Sequence, residues 1–120
     1  MEYFFDHERL DVYRLAIEFV AWAEDVIKRC GACAAKIHLD EASSSIPNNI
    51  AEGNGKWSKK DRRRYLEISS GSALECGSCL DTLVAKGRIP RPEIHAGKTM
   101  LKRIVDMLTR MILNLSNDDK

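Results

Sequence analysis

Residues 45–56 read Ser-Ile-Pro-Asn-Asn-Ile-Ala-Glu-Gly-Asn-Gly-Lys, which predicts a helix that contains a proline and is closed by glycine. Pro47 has no backbone N–H, and its ring clashes with the carbonyl four residues back. It therefore predicts a helix that is bent but unbroken. Gly53 and Gly55 tolerate positive φ and are expected to end this helix. Because a bent helix is costly, the rest of the chain is expected to pack around it.

Apolar residues recur three and four positions apart on both sides of this stretch, which predicts further helices. In chain order, the predicted helices cover about residues 11–30, 33–53, 58–86 and 93–115. Ser58 followed by Asp61 resembles a capping box, and Gly87 suits the residue just after a helix end. Helices of this length joined by short turns predict an all-α protein, an antiparallel up-down-up-down four-helix bundle with a proline-kinked second helix. The bundle is one domain over residues 1–120.

The first and third helices carry more apolar residues than one buried stripe requires. A second stripe would be an exposed apolar patch on a monomer, and such patches mark interfaces. The residues predicted at an oligomer interface are Tyr13, Ile17, Val20, Leu66, Ala73 and Leu80. Ile37, Ile68, Leu83 and Leu108 are instead expected to face the core.

The composition narrows the class of protein. The chain has 120 residues, of which 44% are hydrophobic and 31% are charged, as is typical of a globular protein. Its formal net charge of +1 gives no overall attraction to a polyanion. No apolar run approaches the roughly 18 residues of a membrane span, and no basic segment precedes an apolar core. We therefore expect a cytoplasmic protein without a membrane partner.

Positive charge is nevertheless concentrated where the third helix begins. This basic cluster has a local charge of +5 and consists of Lys56, Lys59, Lys60, Arg62, Arg63 and Arg64, with Trp57 beside it and Asp61 as its one acid. Lysine and arginine attract phosphates, and tryptophan can stack on a base. Cations at a helix N-terminus oppose the helix dipole, so stability alone does not explain them. The alternative is a solvated helix start, with Trp57 packed on the end of the bundle.

The four cysteines form two Cys-x-x-Cys pairs, Cys30 with Cys33 and Cys76 with Cys79. Two such pairs are a pattern of tetrahedral zinc sites. Cys76 and Cys79, however, fall on core positions of the third helix, where cysteine acts as a small hydrophobic residue. We therefore expect reduced, packed thiols and no metal.

No arrangement of residues in the chain indicates catalysis. Glu52 and Glu75 are too far apart on antiparallel helices to share a substrate proton, and Glu52 is expected to pair with Arg62 or Arg63. No P-loop or dinucleotide-binding glycine pattern is present. We therefore expect no catalytic residues and no enzyme activity. Asn49, on a helix seam, is expected to fix the register of two helices.

Four segments carry a resemblance to a known family: Leu10–Ala16, Ser45–Lys56, Ser58–Arg63 and Gly71–Glu75. They resemble the four-helix bundle proteins encoded in intervening sequences of large-subunit ribosomal RNA genes. The accessory variability determinant of diversity-generating retroelements belongs to the same superfamily. The resemblance covers nearly the whole chain and implies a bundle that assembles into a ring, with a pentamer favoured, and no enzyme activity or cofactor.

Two functions follow as hypotheses. The first is a non-enzymatic, oligomeric accessory or scaffold protein that binds RNA or DNA through the basic cluster, repeated around a ring. Only the retroelement branch of the resemblance implies nucleic-acid binding, and a protein partner such as a reverse transcriptase belongs with that branch. The alternative is a protein–protein interaction scaffold that binds no nucleic acid.

Overall fold

A computed structural model describes residues 2–118 and contains four α-helices in that range. They are α1 (Asp11–Arg29), α2 (Ala34–Asn54), α3 (Lys59–Ala85) and α4 (His95–Asp118). Short 3₁₀ helices, Asp6–Arg9 and Arg91–Ile94, precede α1 and α4. No strand occurs among these residues, so the all-α prediction is confirmed. None of the helices described has both the length and the apolar character needed to cross a membrane.

The second helix continues without a break across Pro47, which is buried inside it. The unbroken helix is confirmed, and the bend stays a prediction. Gly55 follows the last helical residue, as expected, but its φ is −84° and not positive, and Gly53 lies within the helix with φ in the ordinary range. Close packing explains Gly53 instead, since a Cβ there would lie 2.9 Å from Cβ of Tyr65.

The third helix begins and ends as its sequence predicts. The Ser58 Oγ accepts a hydrogen bond of 3.0 Å from the Asp61 backbone N–H, as an N-cap does. At the other end, Gly87 has a φ of 71°, and its N–H donates to the Val84 carbonyl over 2.9 Å. This positive φ is the conformation that favours glycine after a helix.

Helices α2 and α3 meet with their residues in opposite order. Between α2 and α3, the Ser45 and Ser72 hydroxyls lie 2.8 Å apart, and the Ser69 Oγ donates over 2.9 Å to the carbonyl of Ile46. Gly53, later in α2, meets Tyr65, earlier in α3. The four helices surround one core, in which each packs against the two beside it.

Both leucines predicted to be buried, Leu83 and Leu108, are fully buried. Two other core predictions are wrong: Ile37 is 58% exposed and Ile68 is 43% exposed. Ile37 follows the buried Ala35 by two positions and Ile68 precedes the buried Ser69 by one, which turns both isoleucines away from the core.

The prediction of an exposed apolar patch on α3 is also wrong. Leu66, Ala73 and Leu80 are no more than 3% exposed, because α3 packs against both α2 and α4 and needs a wide buried face. On α1 the predicted second apolar stripe is partly exposed. Ile17 is 45% exposed, while Tyr13 and Val20 are half-buried.

Candidate nucleic-acid interface

The basic cluster lies at the end of the bundle where α2 ends and α3 begins. The connection between the two helices is only four residues long, Gly55–Ser58, so it holds the cluster close to the core. The Lys56 backbone N–H donates to the Gly53 carbonyl over 3.2 Å, and the Ser58 cap then starts α3. The cationic side chains that follow are therefore carried by a fixed helical turn.

Trp57 stands at the tip of this connection with 99% of its side chain exposed. The alternative in which Trp57 packs on the bundle end is therefore wrong. Tryptophan is highly buried on average, so a fully exposed indole is an exception in a folded protein. Its whole ring is open for stacking.

Two members of the cluster are oriented by contacts close to the core. The Arg62 Nε donates a hydrogen bond of 2.7 Å to the Lys56 backbone carbonyl. The Lys56 Nζ lies 5.0 Å from the centre of the Tyr65 ring, a cation–π distance. Both side chains are half-buried, so this part of the cluster is ordered by the protein itself.

Arg63 faces α4 rather than open solvent. One of its Nη groups donates over 3.2 Å to the Ser116 hydroxyl, and its Nε lies 3.9 Å from a Glu67 carboxylate oxygen. Arg63 therefore contributes to holding α3 on α4. The expected pairing of Glu52 with Arg62 or Arg63 is absent among the residues described, where Glu52 is exposed.

Most of the remaining charge is not neutralised. Lys60 and Arg64 are exposed and lie four positions apart, which places them on one face of α3. Within residues 2–118, neither of them forms an ion pair, and the same holds for Lys56 and Arg62. Lys59 is also exposed. The arrangement offers uncompensated positive charge beside an exposed indole.

A pocket next to this surface is a feature that the sequence reasoning missed. It has a volume of about 210 Å³ and lies between the end of α2, the start of α3 and the end of α4. Its lining residues are Gly53, Asn54, Arg62, Leu66, Met111, Asn114 and Leu115. Arg62 thus belongs to both the basic cluster and the pocket. The sequence does not show the pocket because it forms only where the end of α4 packs beside the α2–α3 turn.

A polar seam runs between α2 and α3 further along the bundle. The Asn49 side-chain amide donates to the Ser45 carbonyl over 2.8 Å and to its hydroxyl over 2.9 Å. The Ser45 hydroxyl in turn contacts Ser72. Asn49 is half-buried at the seam, as expected, but in the described part of the chain its side-chain hydrogen bonds reach α3 only through Ser45. Among the residues described, no buried side-chain polar atom lacks a partner.

The cysteines lie at and near the opposite end of the bundle. Cys30, Cys76 and Cys79 are buried, Cys33 is half-buried, and all four are free thiols. Burial raises the pKa of the Cys76 thiol to about 12, and it also raises the pKa values of Cys30 and Cys79. No cluster of three or more potential metal ligands occurs within residues 2–118.

The two glutamates considered for catalysis lie in different places. Glu75 shares a surface pocket with His38 and Lys86, towards the start of α2. Glu52 lies near the end of the same helix, on its exposed side. The structure therefore does not bring the two carboxylates together.

A solved structure has a similar fold. It is the crystal structure of a protein with unknown function from the S23 ribosomal protein family, from Bacteroides thetaiotaomicron. The two chains align with a TM-score of 0.80 at 21% sequence identity, over 84% of this chain and 97% of that chain. At this identity the likeness shows the fold alone. A comparison with curated proteins gives no match.

A family-level comparison covers most of the chain. The sequence profile described as 23S rRNA-intervening sequence protein matches residues 8–110. The match includes α1, α2 and α3, the basic cluster and most of α4. The chain therefore belongs to the 23S rRNA-intervening sequence protein family.

Proposed function

We propose that this protein is a non-enzymatic accessory protein that binds single-stranded nucleic acid, RNA or DNA, through its basic cluster. The observation that carries the proposal is the 99% exposure of Trp57 beside Lys60 and Arg64, which form no ion pair in the described part of the chain. Neither feature stabilises the fold, because the positive charges oppose the dipole of α3 and the exposed indole buries no apolar surface. A nucleotide strand would use both, through phosphate contacts and base stacking.

Single strands suit this surface better than a perfect duplex. The bases of a duplex are stacked on each other, whereas an exposed indole needs a base that is free on one face. The phosphate contacts and the stacking on Trp57 are expected to depend little on sequence, and the phosphate contacts are expected to depend strongly on salt. Log affinity falls by about 0.7 per single-strand phosphate contact for each tenfold rise in salt concentration.

The proposal includes self-assembly into a ring, with a pentamer favoured by the family resemblance. Ile17 is 45% exposed on α1, next to the half-buried Tyr13 and Val20, and these three residues support an interface there. A ring repeats the basic cluster once per subunit. Avidity can then exceed single-site affinity by about 10²–10⁴ when one strand reaches several clusters.

A charge-reversal experiment tests nucleic-acid binding. Lys60→Glu with Arg64→Glu removes two exposed cations that have no ion-pair partner in the described part of the chain. The matched control is Arg91→Glu with Arg103→Glu, which makes the same charge change at exposed positions outside the cluster. We expect the first variant to lose the retardation of a single-stranded RNA in a gel, and the control to keep most of it.

Two results would contradict the proposal. One is a parent protein that retards neither RNA nor single-stranded DNA at low salt. The other is an equal loss in both charge-reversal variants, because that would mean the basic cluster has no special part. Circular dichroism of each variant shows whether the helices remain.

The alternative function is a scaffold that binds only other proteins. Large exposed apolar side chains favour it, namely Ile37 at 58%, Leu74 at 64% and Leu113 at 56% exposure. Failure of the parent protein to bind nucleic acid, together with a stable oligomer, would support this alternative.

A further inference from the structure

The pocket between the α2–α3 turn and the end of α4 has the composition of a site for a small planar ring. Leu66, Met111 and Leu115 supply apolar surface, and Asn54 and Asn114 supply amides. Its volume of about 210 Å³ is well above the roughly 10–15 Å³ that a cavity needs to hold one water molecule. The space therefore suits a ring system rather than a single solvent molecule.

Two fixed parts of the fold border this space. Gly53 lines the pocket, and a side chain cannot be placed there without displacing Tyr65, whose Cβ would lie 2.9 Å from the new Cβ. The Asn54 amide nitrogen is held by a hydrogen bond of 3.1 Å to a carboxylate oxygen of Asp6. The pocket is thus bordered by the tightly packed end of α2 and by an anchored amide.

Arg62 gives the pocket its charge. Its Nε is committed to the Lys56 carbonyl at 2.7 Å, which orients the guanidinium group. Within the described part of the chain, its two Nη groups make no hydrogen bond or ion pair. They remain available as a pair of parallel donors. Such a pair matches the O6 and N7 acceptors of guanine better than the edge of any other base.

We propose that this pocket takes one unpaired nucleobase, guanine in preference, from a strand bound on the basic cluster. The inference rests on the proposed function, because the cluster must first bring the strand to the site. Arg62 belongs to both surfaces, so a base adjacent to a cluster-bound phosphate is within reach of the pocket. The apolar side chains cover the faces of the ring, and Arg62 reads its edge.

The test separates base reading from phosphate binding. Three strands are compared, each with twelve deoxyribose phosphate units that are abasic except at the centre, where the strand has a guanine, a thymine or no base. Binding is measured by fluorescence anisotropy. For the parent protein we expect guanine to bind about tenfold tighter than thymine, within the discrimination that one bidentate arginine contact provides. The single base of a strand cannot occupy the pocket and stack on Trp57 at once, so Trp57→Ala should leave binding of the guanine strand largely unchanged and keep the preference.

Two variants locate the reading site. Asn114→Trp fills the pocket from an exposed lining position, with Asn48→Trp, exposed on α2, as its control. Arg62→Lys keeps the positive charge but removes the parallel donors. Asn114→Trp should bind the abasic strand within about twofold of the parent and lose the guanine preference, whereas Asn48→Trp should keep the preference. Arg62→Lys should also lose the preference, which is measured as the ratio of guanine-strand to thymine-strand affinity because Arg62 belongs to the basic cluster as well.

The possible results are distinct. Equal binding of guanine, thymine and abasic strands by the parent overturns the inference but leaves the proposed function intact. A guanine preference that survives in both Asn114→Trp and Arg62→Lys also overturns it, because the base is then read elsewhere. If the parent binds no strand at all, the proposed function fails and the inference fails with it.

Discussion

The indole of Trp22 lies directly against the backbone of Gly97. A Cβ built on Gly97 would lie 2.2 Å from Cζ3 and 2.3 Å from Cη2 of that ring. No atom fits in this space, so the contact between α1 and α4 depends on the absence of a side chain at Gly97. Trp22 also packs on Phe19, with ring centres 5.7 Å apart, which ties the contact to the core.

Gly97→Ala should therefore destabilise the protein even though alanine favours a helix. Forcing one extra methyl group into a packed site typically costs about 1–3 kcal/mol, which exceeds the gain in helix propensity of up to about 1 kcal/mol. The control is Gly71→Ala, because a Cβ at Gly71 meets nothing within 4 Å. Urea unfolding should show a loss for Gly97→Ala and a small gain for Gly71→Ala. A gain for both would mean that Trp22 moves aside at little cost.

Leu108→Ala should cost about 2–5 kcal/mol of unfolding free energy, because it leaves a cavity in the core. Leu108 is fully buried, whereas Leu113 on the same helix is 56% exposed. Leu113→Ala makes the same chemical change and should cost much less. Chemical denaturation of the two variants checks this, and similar losses for both would show that α4 is rotated from the orientation described.

Ser58→Ala should weaken the start of α3 by about 1 kcal/mol, since it removes the acceptor for the Asp61 N–H. Ser58→Asp supplies another acceptor and should retain the stability. Ser78→Ala, at an exposed position within α3, serves as the control. Thermal unfolding compares the three. Equal stability of Ser58→Ala and the parent would contradict an N-cap at this position.

The unfolding free energy should fall above about pH 9 through Cys76. Burial raises the pKa of this thiol from 9.0 to about 12 in the folded protein. Between these values the unfolded chain releases a proton that the folded chain retains, so rising pH favours unfolding by up to about 1.4 kcal/mol per pH unit. Urea unfolding of the reduced protein at pH 7, 9 and 10 measures the slope, and Cys76→Ala should flatten it. Parallel profiles for the variant and the parent would contradict the burial of this thiol.

Assembly should depend on the exposed apolar part of α1. Ile17→Asp places a charge on the proposed interface, and Ile37→Asp makes the same change at a more exposed isoleucine on α2. Light scattering should give an oligomer for the parent and for Ile37→Asp, and a smaller species for Ile17→Asp. A parent protein that is a stable monomer at micromolar concentration would end the proposal of a ring.

The helices could be predicted from the sequence because their signals are local. Ser58 and Gly87 mark the two ends of α3 by their own backbone chemistry, and the structure confirms both. The buried face of α3 was harder to predict, since it depends on how many neighbours the helix has. Ser69 illustrates this: a serine reads as a surface residue, yet it is fully buried because its hydroxyl bonds to the Ile46 carbonyl on α2.

The candidate site was predictable only in part. The basic cluster is contiguous in the sequence, so charge counting finds it without any knowledge of the fold. The sequence does not show which of these basic residues make contacts within the fold. Arg63 bonds to Ser116 on α4, while Arg64 stays exposed. The pocket joins Gly53 and Arg62 to Met111 and Asn114, residues that lie far along the chain and meet only through folding.

The two tryptophans occupy opposite environments, so their intrinsic fluorescence reports on two different parts of the protein. Trp57 is 99% exposed, so an aqueous quencher such as iodide reaches it in the folded state, and an occupied cluster would shield it. Trp22 is half-buried against Gly97, so its emission responds to separation of α1 from α4. Tryptophan emission of a Trp57→Phe variant would report on unfolding alone. That of a Trp22→Phe variant would report on occupation of the basic cluster. Loss of structure and occupation of the surface can thus be followed separately without any added dye.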